Sequence, residues 1–291
     1  MKIYFLSFLL FSFIYSFAQN FDYHPEDWLL MTDKDFQFTI PVQKVEAVTY
    51  ILNKNDEKGE KWQSDILYFD ENKLIKWDQN DFQFGQNFSQ VYVYNQENVS
   101  EFQAREIYSG EKLIEKTTYI YDDISHQIKE INVQEFDDKF ENAPPLEFKI
   151  KIEFDSNYVR KKDVYFNYNS KVRHEIEITK DNKGRIISHK HFDPLGNWMM
   201  TDSISYDKNG RKSVEVSSYP IPDEGSENIS VVIEYNYDEN GNLKEMKIED
   251  NVIMLHHLLD KNGNWIERRS YIEIDGETNS YQIVERKITY L

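Results

Sequence analysis

Tyr206-Asp207-Lys208-Asn209-Gly210-Arg211 is the stretch that decides the fold. Its core, Asp-x-x-Gly, recurs at Asp181-Asn182-Lys183-Gly184, Asp193-Pro194-Leu195-Gly196, Asp238-Glu239-Asn240-Gly241 and Asp260-Lys261-Asn262-Gly263, giving five copies. Three copies contain Asn-Gly, which alone would suggest a two-residue type I′ hairpin turn. The copy with Pro194 argues against that turn for the set. Leu195 would need a positive φ there, costly for a bulky residue, whereas Pro194 suits the second position of a type I turn with Asp193 first and Gly196 fourth. One geometry then serves all five, a type I turn whose glycine is left-handed and forms a bulge. In this reading Asp181, Gly184, Asp193, Pro194, Gly196, Asp207, Gly210, Asp238, Gly241, Asp260 and Gly263 are structural turn residues.

Such a turn places the residue after the glycine opposite the aspartate. The pairs are Asp181 with Arg185, Asp193 with Asn197, Asp207 with Arg211, Asp238 with Asn242 and Asp260 with Asn264. One step further out, Phe192 faces Trp198, Tyr237 faces Leu243 and Leu259 faces Trp265, while Tyr206 faces Lys212 and Lys180 faces Ile186. Polar pairs at the turn with apolar pairs behind them are what a half-buried antiparallel hairpin needs, each good pair contributing about 0.2–1 kcal/mol. Weaker copies lie upstream at Tyr68-Phe69-Asp70, Tyr108-Ser109-Gly110, Tyr121-Asp122-Asp123 and Phe154-Asp155-Ser156-Asn157. Between turns, apolar residues alternate at Ile150, Ile152 and Phe154, at Val172, Ile176 and Ile178, and from Ile229 through Ile233 to Tyr237. The expected fold is all-β, an antiparallel meander of repeated hairpins with roughly sixteen to twenty strands, so long that the sheet must curl, close or split into layers. A short helical turn is expected only near Pro25 to Met31. Longer loops are expected from Asp137 to Pro145 and from Pro220 to Asn228, inside one continuous array spanning residues 19–291.

The beginning of the chain is of another kind. Met1-Lys2 precedes a phenylalanine-rich apolar run from Ile3 to Phe17, ending Ser16-Phe17-Ala18. An early positive charge, an apolar core too short to cross a bilayer comfortably and small residues before Gln19 describe a secretory signal peptide over residues 1–18, cleaved after Ala18. The protein is then exported to the periplasm, the cell surface or the exterior, with no stable membrane insertion once the leader is removed. The chain has no cysteine, so neither a lipid-modified cysteine nor disulfide stapling is available. Its formal net charge is -18, which argues against nucleic acid and anionic lipid surfaces as partners.

Tyr206-Asp207-Lys208-Asn209-Gly210-Arg211 and Tyr237-Asp238-Glu239-Asn240-Gly241-Asn242-Leu243 resemble the YD repeat of the RHS family: an aromatic-Asp pair, two variable residues, then Gly-Arg or Gly-Asn and an apolar residue. The copies ending in Trp198 and Trp265 are similar. The resemblance is clearest between Thr179 and Arg268. It implies strips of β-hairpins, which in long members of that family wind into shells around toxins or form extended surface structures. This chain is far shorter than such a shell and lacks an evident release motif, so the resemblance implies architecture and a surface or envelope role.

No residue pattern points firmly to chemistry. In Asp260-Lys261-Asn262-Gly263-Asn264 the glycine is fourth, whereas a calcium loop of the helical-hand type places it sixth, so a turn is the better reading. His189 and His191 share one strand face and His256 and His257 point oppositely; without cysteines these read as structural or surface histidines. Nucleophile-elbow and phosphate-loop motifs are absent from the sequence, and no catalytic, metal or cofactor residue is nominated. Exposed members of the set Tyr92, Tyr94, Tyr119, Tyr121, Tyr165, Phe166 and Tyr168 would suit sugar rings, although cross-strand packing explains them too. The leading expectation is a non-catalytic binding or scaffold protein with a protein or glycan partner. Alternatives are a secreted glycan-acting hydrolase and an immunity-type partner of a secreted toxin.

Overall fold

The computed structural model describes residues 38 and 40–291 apart from 54–56, 71–72, 95–101, 137–143, 221–227, 250 and 275–276. The leader and the turn expected over Pro25 to Met31 lie outside these residues, as do most of the two long loops.

Eighteen strands follow one another. They are β1 (Val42–Leu52), β2 (Lys58–Asp70), β3 (Lys73–Asp81), β4 (Gln86–Tyr94), β5 (Phe102–Ser109), β6 (Lys112–Tyr121), β7 (Ile128–Glu135), β8 (Leu146–Phe154) and β9 (Arg160–Phe166). The second half continues with β10 (Val172–Lys180), β11 (Ile186–Phe192), β12 (Trp198–Tyr206), β13 (Lys212–Tyr219), β14 (Ile229–Tyr237), β15 (Leu243–Ile248), β16 (Asn251–Leu259), β17 (Trp265–Ile274) and β18 (Glu277–Tyr290). Each strand pairs antiparallel with the next, and β18 returns to pair antiparallel with β1, from Val42 opposite Tyr290 to Ile51 opposite Gln282. The sheet therefore closes into an all-β barrel. Closure gives every strand two neighbours and removes the exposed edges that a long open meander would leave.

What curls the sheet is a second irregularity at most hairpins, beyond the turn itself. Tyr206 pairs with Lys212 but Ser205 pairs with Val214, so Ser213 is an extra residue. The same slip follows Lys180, Phe192, Tyr237 and Leu259, and in the first half Phe69, Tyr108, Tyr121 and Phe154. A bulge bends and overtwists its strand, and its regular repetition converts a meander into a cylinder.

Period-two alternation separates two faces. The enclosed face carries the buried residues Val45, Leu67, Trp77, Tyr92, Tyr119, Ile131, Ile150 and Ile152 in one cluster and Ile233, Met246, Ile248, Ile253 and Ile272 in another. The outer face carries cross-strand charge pairs at mid-strand, including Glu106 opposite Lys116, Glu130 opposite Lys151, Lys162 opposite Glu177, Glu234 opposite Lys247 and Glu46 opposite Lys287. Ion pairs on this face join Lys116 to Glu106 at 2.7 Å, Lys162 to Glu175 at 2.7 Å, Lys149 to Glu130 at 3.0 Å and, along one strand, Lys76 to Asp78 at 2.8 Å.

Candidate functional site

Antiparallel connection sends alternate turns to opposite ends, so the turns beginning at Asp181, Asp207, Asp238 and Asp260 share one rim and Asp193-Pro194-Leu195-Gly196 lies at the other. In each, the glycine N–H donates to the aspartate carbonyl at 3.0–3.1 Å and the aspartate N–H to the carbonyl after the glycine at 2.8–2.9 Å. The five glycines have φ between 81° and 90°. Asp207 Oδ1 accepts from the backbone of Asn209 and Arg211 at 2.8 and 2.9 Å, and Oδ2 accepts from Arg211 Nε at 2.8 Å. Backbone donors first, and then the Arg211 guanidinium, hold this carboxyl below the usual carboxylate range despite the opposing cost of its surroundings. These oxygens are committed to the turn.

Of the four weaker upstream copies, the one at Asp155 uses the same turn without glycine, with Tyr158 (φ 58°) in the left-handed position; Asn167 begins another such turn, with Ser170 at φ 60°. The other three copies differ. At Asp122 the turn is one residue longer, with His126 (φ 54°) left-handed and its N–H donating to the Asp122 carbonyl at 2.9 Å. Asp70 pairs with Lys73 and Ser109 with Lys112, which leaves only two residues between the strands.

The aromatic and the arginine of the repeat join one hairpin to the next. Arg211 forms an ion pair with Asp207 at 2.7 Å and lies 4.4 Å above the Tyr237 ring, and the Tyr237 hydroxyl donates back to the Lys212 carbonyl at 2.9 Å. Arg185 repeats the arrangement with Asp181 and the Tyr206 ring, and the Tyr206 hydroxyl reaches the Ile186 carbonyl at 2.7 Å. Tyr94 donates to the Leu74 carbonyl at 2.8 Å in the first half. At the closure, Tyr290 takes the same position and donates to Asp260, while Asn264 donates to its hydroxyl at 2.9 Å. The repeat residues are thus a rim clasp.

Several polar groups occupy the enclosed face, among them Arg105 with Glu115, Arg160 with Asp163, and two larger ones. The first of the larger two crosses β9 to β13. The Tyr165 and His174 rings stack at 4.6 Å, His174 Nε2 lies 3.3 Å from His191 Nδ1, His191 Nε2 lies 3.4 Å from Asp202, and the Ser217 hydroxyl donates to Asp202 at 2.6 Å. His189 is buried beside them. Burial first, then the neighbouring His191, lowers the His174 pKa, so His174 is neutral at physiological pH. Burial pushes Asp202 upward, but donors from His191 and Ser217 outweigh it and keep it ionised. Ser217 is turned to the carboxylate rather than to an imidazole, an arrangement that orients side chains but activates no nucleophile. Among the described residues no group of three or more His, Cys, Asp or Glu has metal-holding geometry.

The second group lies half-way round the ring, where β17 and β18 meet β1 and β2. Thr49, Gln63, Asp65, Arg268, Ser270, Gln282 and Arg286 are all buried here. Alternation explains why: Arg268 and Ser270 share a face with Ile272, and Arg286 shares one with Val284 and Ile288. Arg286 lies 3.3 Å over the Trp265 ring and Arg268 lies 5.1 Å from its centroid. Asp65 accepts from Gln63 at 2.8 and 2.9 Å and from Trp77 Nε1 at 3.0 Å. Burial nevertheless raises its pKa to about 6, the hydrogen bonds and the Arg286 charge opposing it only in part. Burial, followed by the Arg268 charge, lowers His257 to about 4. In the sequence the one signal for this group is an arginine in phase with Ile272.

Of the aromatic set, Tyr92 and Tyr119 are buried in the core and Tyr94, Tyr121 and Tyr165 pack against it, whereas Tyr168 stands exposed on a turn.

No family model and no curated protein matches the chain. Among solved structures it is similar to a porin-like protein from Bacteroides uniformis, with a TM-score of 0.45 and 7% identity over 86% of this chain and 97% of that one. It is also similar to the complex TcdB2-TccC3-Cdc42, at a TM-score of 0.26 and 8% identity, covering 82% of this chain and 19% of that chain. For TcdB2-TccC3 the values are 0.26, 9%, 77% and 16%.

Proposed function

We propose that the chain is an exported, non-catalytic binding or scaffold protein of the cell envelope, a barrel that works in water and takes a protein or glycan partner. The observation that carries this reading is the outer wall. A barrel that spans a bilayer needs an outward apolar band about 25 Å tall, and a charge at its midplane costs about 2–4 kcal/mol. Here Glu106 with Lys116, Glu130 with Lys149 and Lys162 with Glu175 sit on the outward face at mid-strand, on three separate hairpins. The leader over residues 1–18 supports export, and the resemblance to YD repeats supports a surface or envelope role. Turns whose carboxylates are already committed, and histidines that orient one another, support binding over turnover.

Expression of the full chain in a Gram-negative host tests this. The expected product is a mature protein starting at Gln19, released with the envelope contents without detergent, that cross-links to a specific envelope partner. Retention of the leader, a requirement for detergent, or turnover of a polysaccharide by the purified protein would overturn it.

A further inference from the structure

Among the described residues, no carboxylate pairs with the arginine on the inner wall of β17. Arg268 is 7% exposed, and its Nε has no hydrogen-bond partner. Its contact is with the Trp265 ring, and the groups facing it from the neighbouring strands are His257 on β16 and Val284 on β18. A second guanidinium, Arg286, lies on the same indole and repels it. Asp65, two strands beyond, acts on Arg286 and is itself held by Gln63 and Trp77. Burial alone lowers the Arg268 pKa to about 10, none of the described carboxylates opposing it, so the group remains cationic at neutral pH. Burying an uncompensated guanidinium costs several kcal/mol in general, and a fold keeps one where a ligand supplies the missing charge. The remainder of the seam suits such a ligand: Ser270, Gln282, Thr49 and Gln63 line the same wall with neutral polar groups.

We propose that the inner wall at the seam of β17, β18, β1 and β2 binds an oxyanion, a carboxylate, sulfate or phosphate group, with Arg268 as its main donor and Arg286 and Trp265 shaping the site. A planar guanidinium presents paired N–H donors that match two oxygens of such a group. Arg268 is the fourth residue past the Gly263-Asn264 end of its turn, so the site lies close to the rim that carries the clasp. This deepens the proposed binding role by assigning a negative charge to the part of the partner that enters the barrel.

The test is a titration of the mature protein with acetate, sulfate and inorganic phosphate at constant ionic strength, read by thermal unfolding and by the arginine Nε–H resonances. A saturable rise in Tm of roughly 5–10 °C at a hundredfold excess over Kd is expected for at least one anion. Only saturation counts, because sulfate and phosphate stabilise proteins generally by exclusion from their surface. In Arg268→Met the saturable response disappears while Tm in anion-free buffer rises, since a buried unpaired charge has been removed. Arg268→Lys keeps the charge and binds at least tenfold more weakly, and Lys287→Gln, on the outer wall, binds as wild type does. The arms separate the ligand classes: a response to acetate alone assigns a carboxylate, one to sulfate or phosphate an ester. No saturable response in the wild-type protein, or an undiminished response in Arg268→Met, would overturn the proposal. Neither result bears on export or detergent-free recovery, so the envelope reading stands or falls separately.

Discussion

Replacing Gly210 by valine tests the turn that builds the barrel, and the structure lets the cost be worked out in parts. Gly210 has φ +84°, and a Cβ built there meets only the end of the Arg185 side chain at 3.6 Å, an ordinary contact. Steric crowding therefore contributes almost nothing. The left-handed conformation costs an L-residue about 1–2 kcal/mol, and removing a glycine returns about 0.4–1 kcal/mol by stiffening the unfolded chain. Gly210→Ala should lose roughly 1 kcal/mol and Gly210→Val roughly 2, while Gly210→Asn should lose least, because asparagine tolerates that conformation. The same order is expected at Gly196, where nothing lies within 4 Å. Tyr158 supplies the reverse experiment. It holds φ 58° in the same turn and is exposed, so Tyr158→Gly should gain about 0.5–1 kcal/mol with little packing lost. Urea unfolding at constant m-value measures these differences, which correspond to about 2–4 °C in Tm per kcal/mol for a chain of this order. An unchanged midpoint for Gly210→Val, or a loss on Tyr158→Gly equal to that of Gly210→Ala, would show that the turn is not what positions these hairpins.

Three further outcomes follow from the side chains. Tyr237→Phe removes the hydroxyl that holds the Lys212 carbonyl and should cost about 0.5–1.5 kcal/mol, read as a lowered urea midpoint; an unchanged midpoint would mean the clasp adds nothing. Asp65 has a folded pKa of about 6 against 3.8 when exposed, so its penalty is absent below about pH 4 and grows as pH rises toward 6. Asp65→Asn should therefore gain up to about 3 kcal/mol relative to wild type between pH 4 and pH 7, and a constant difference in urea stability would refute the burial argument. His257 behaves oppositely: it is kept neutral with a pKa of about 4, so its contribution is present above pH 6.5 and is lost on acidification. His257→Gln should become more stable relative to wild type as pH falls from 6.5 to 4, and a difference independent of pH would count against it.

Near the turns, much was legible because turn chemistry is local. Leu195 and Pro194 excluded the two-residue turn, and the pairs Phe192 with Trp198, Tyr237 with Leu243 and Leu259 with Trp265 occur as the turn requires. The bulge one step beyond each pair was not legible, since Ser213 and its counterparts carry no distinguishing residue type. Nor did the repeat disclose what its arginine does. Arg211 looked like a turn neighbour, and only the packing of successive hairpins sets it over Tyr237.

By itself, then, the sequence determined the all-β class, the hairpin as the unit and the register beside each Asp-x-x-Gly turn, because φ preferences and cross-strand pairs act over a few residues. Closure belongs to the tertiary structure. It depends on accumulated bend from repeated bulges and on Ile51 meeting Gln282, residues that no local preference connects. The same distance separates Arg286 from Asp65 and Phe38, and these charged residues become buried only when the first strands and the last enclose them. The candidate site is for that reason a property of the closed ring.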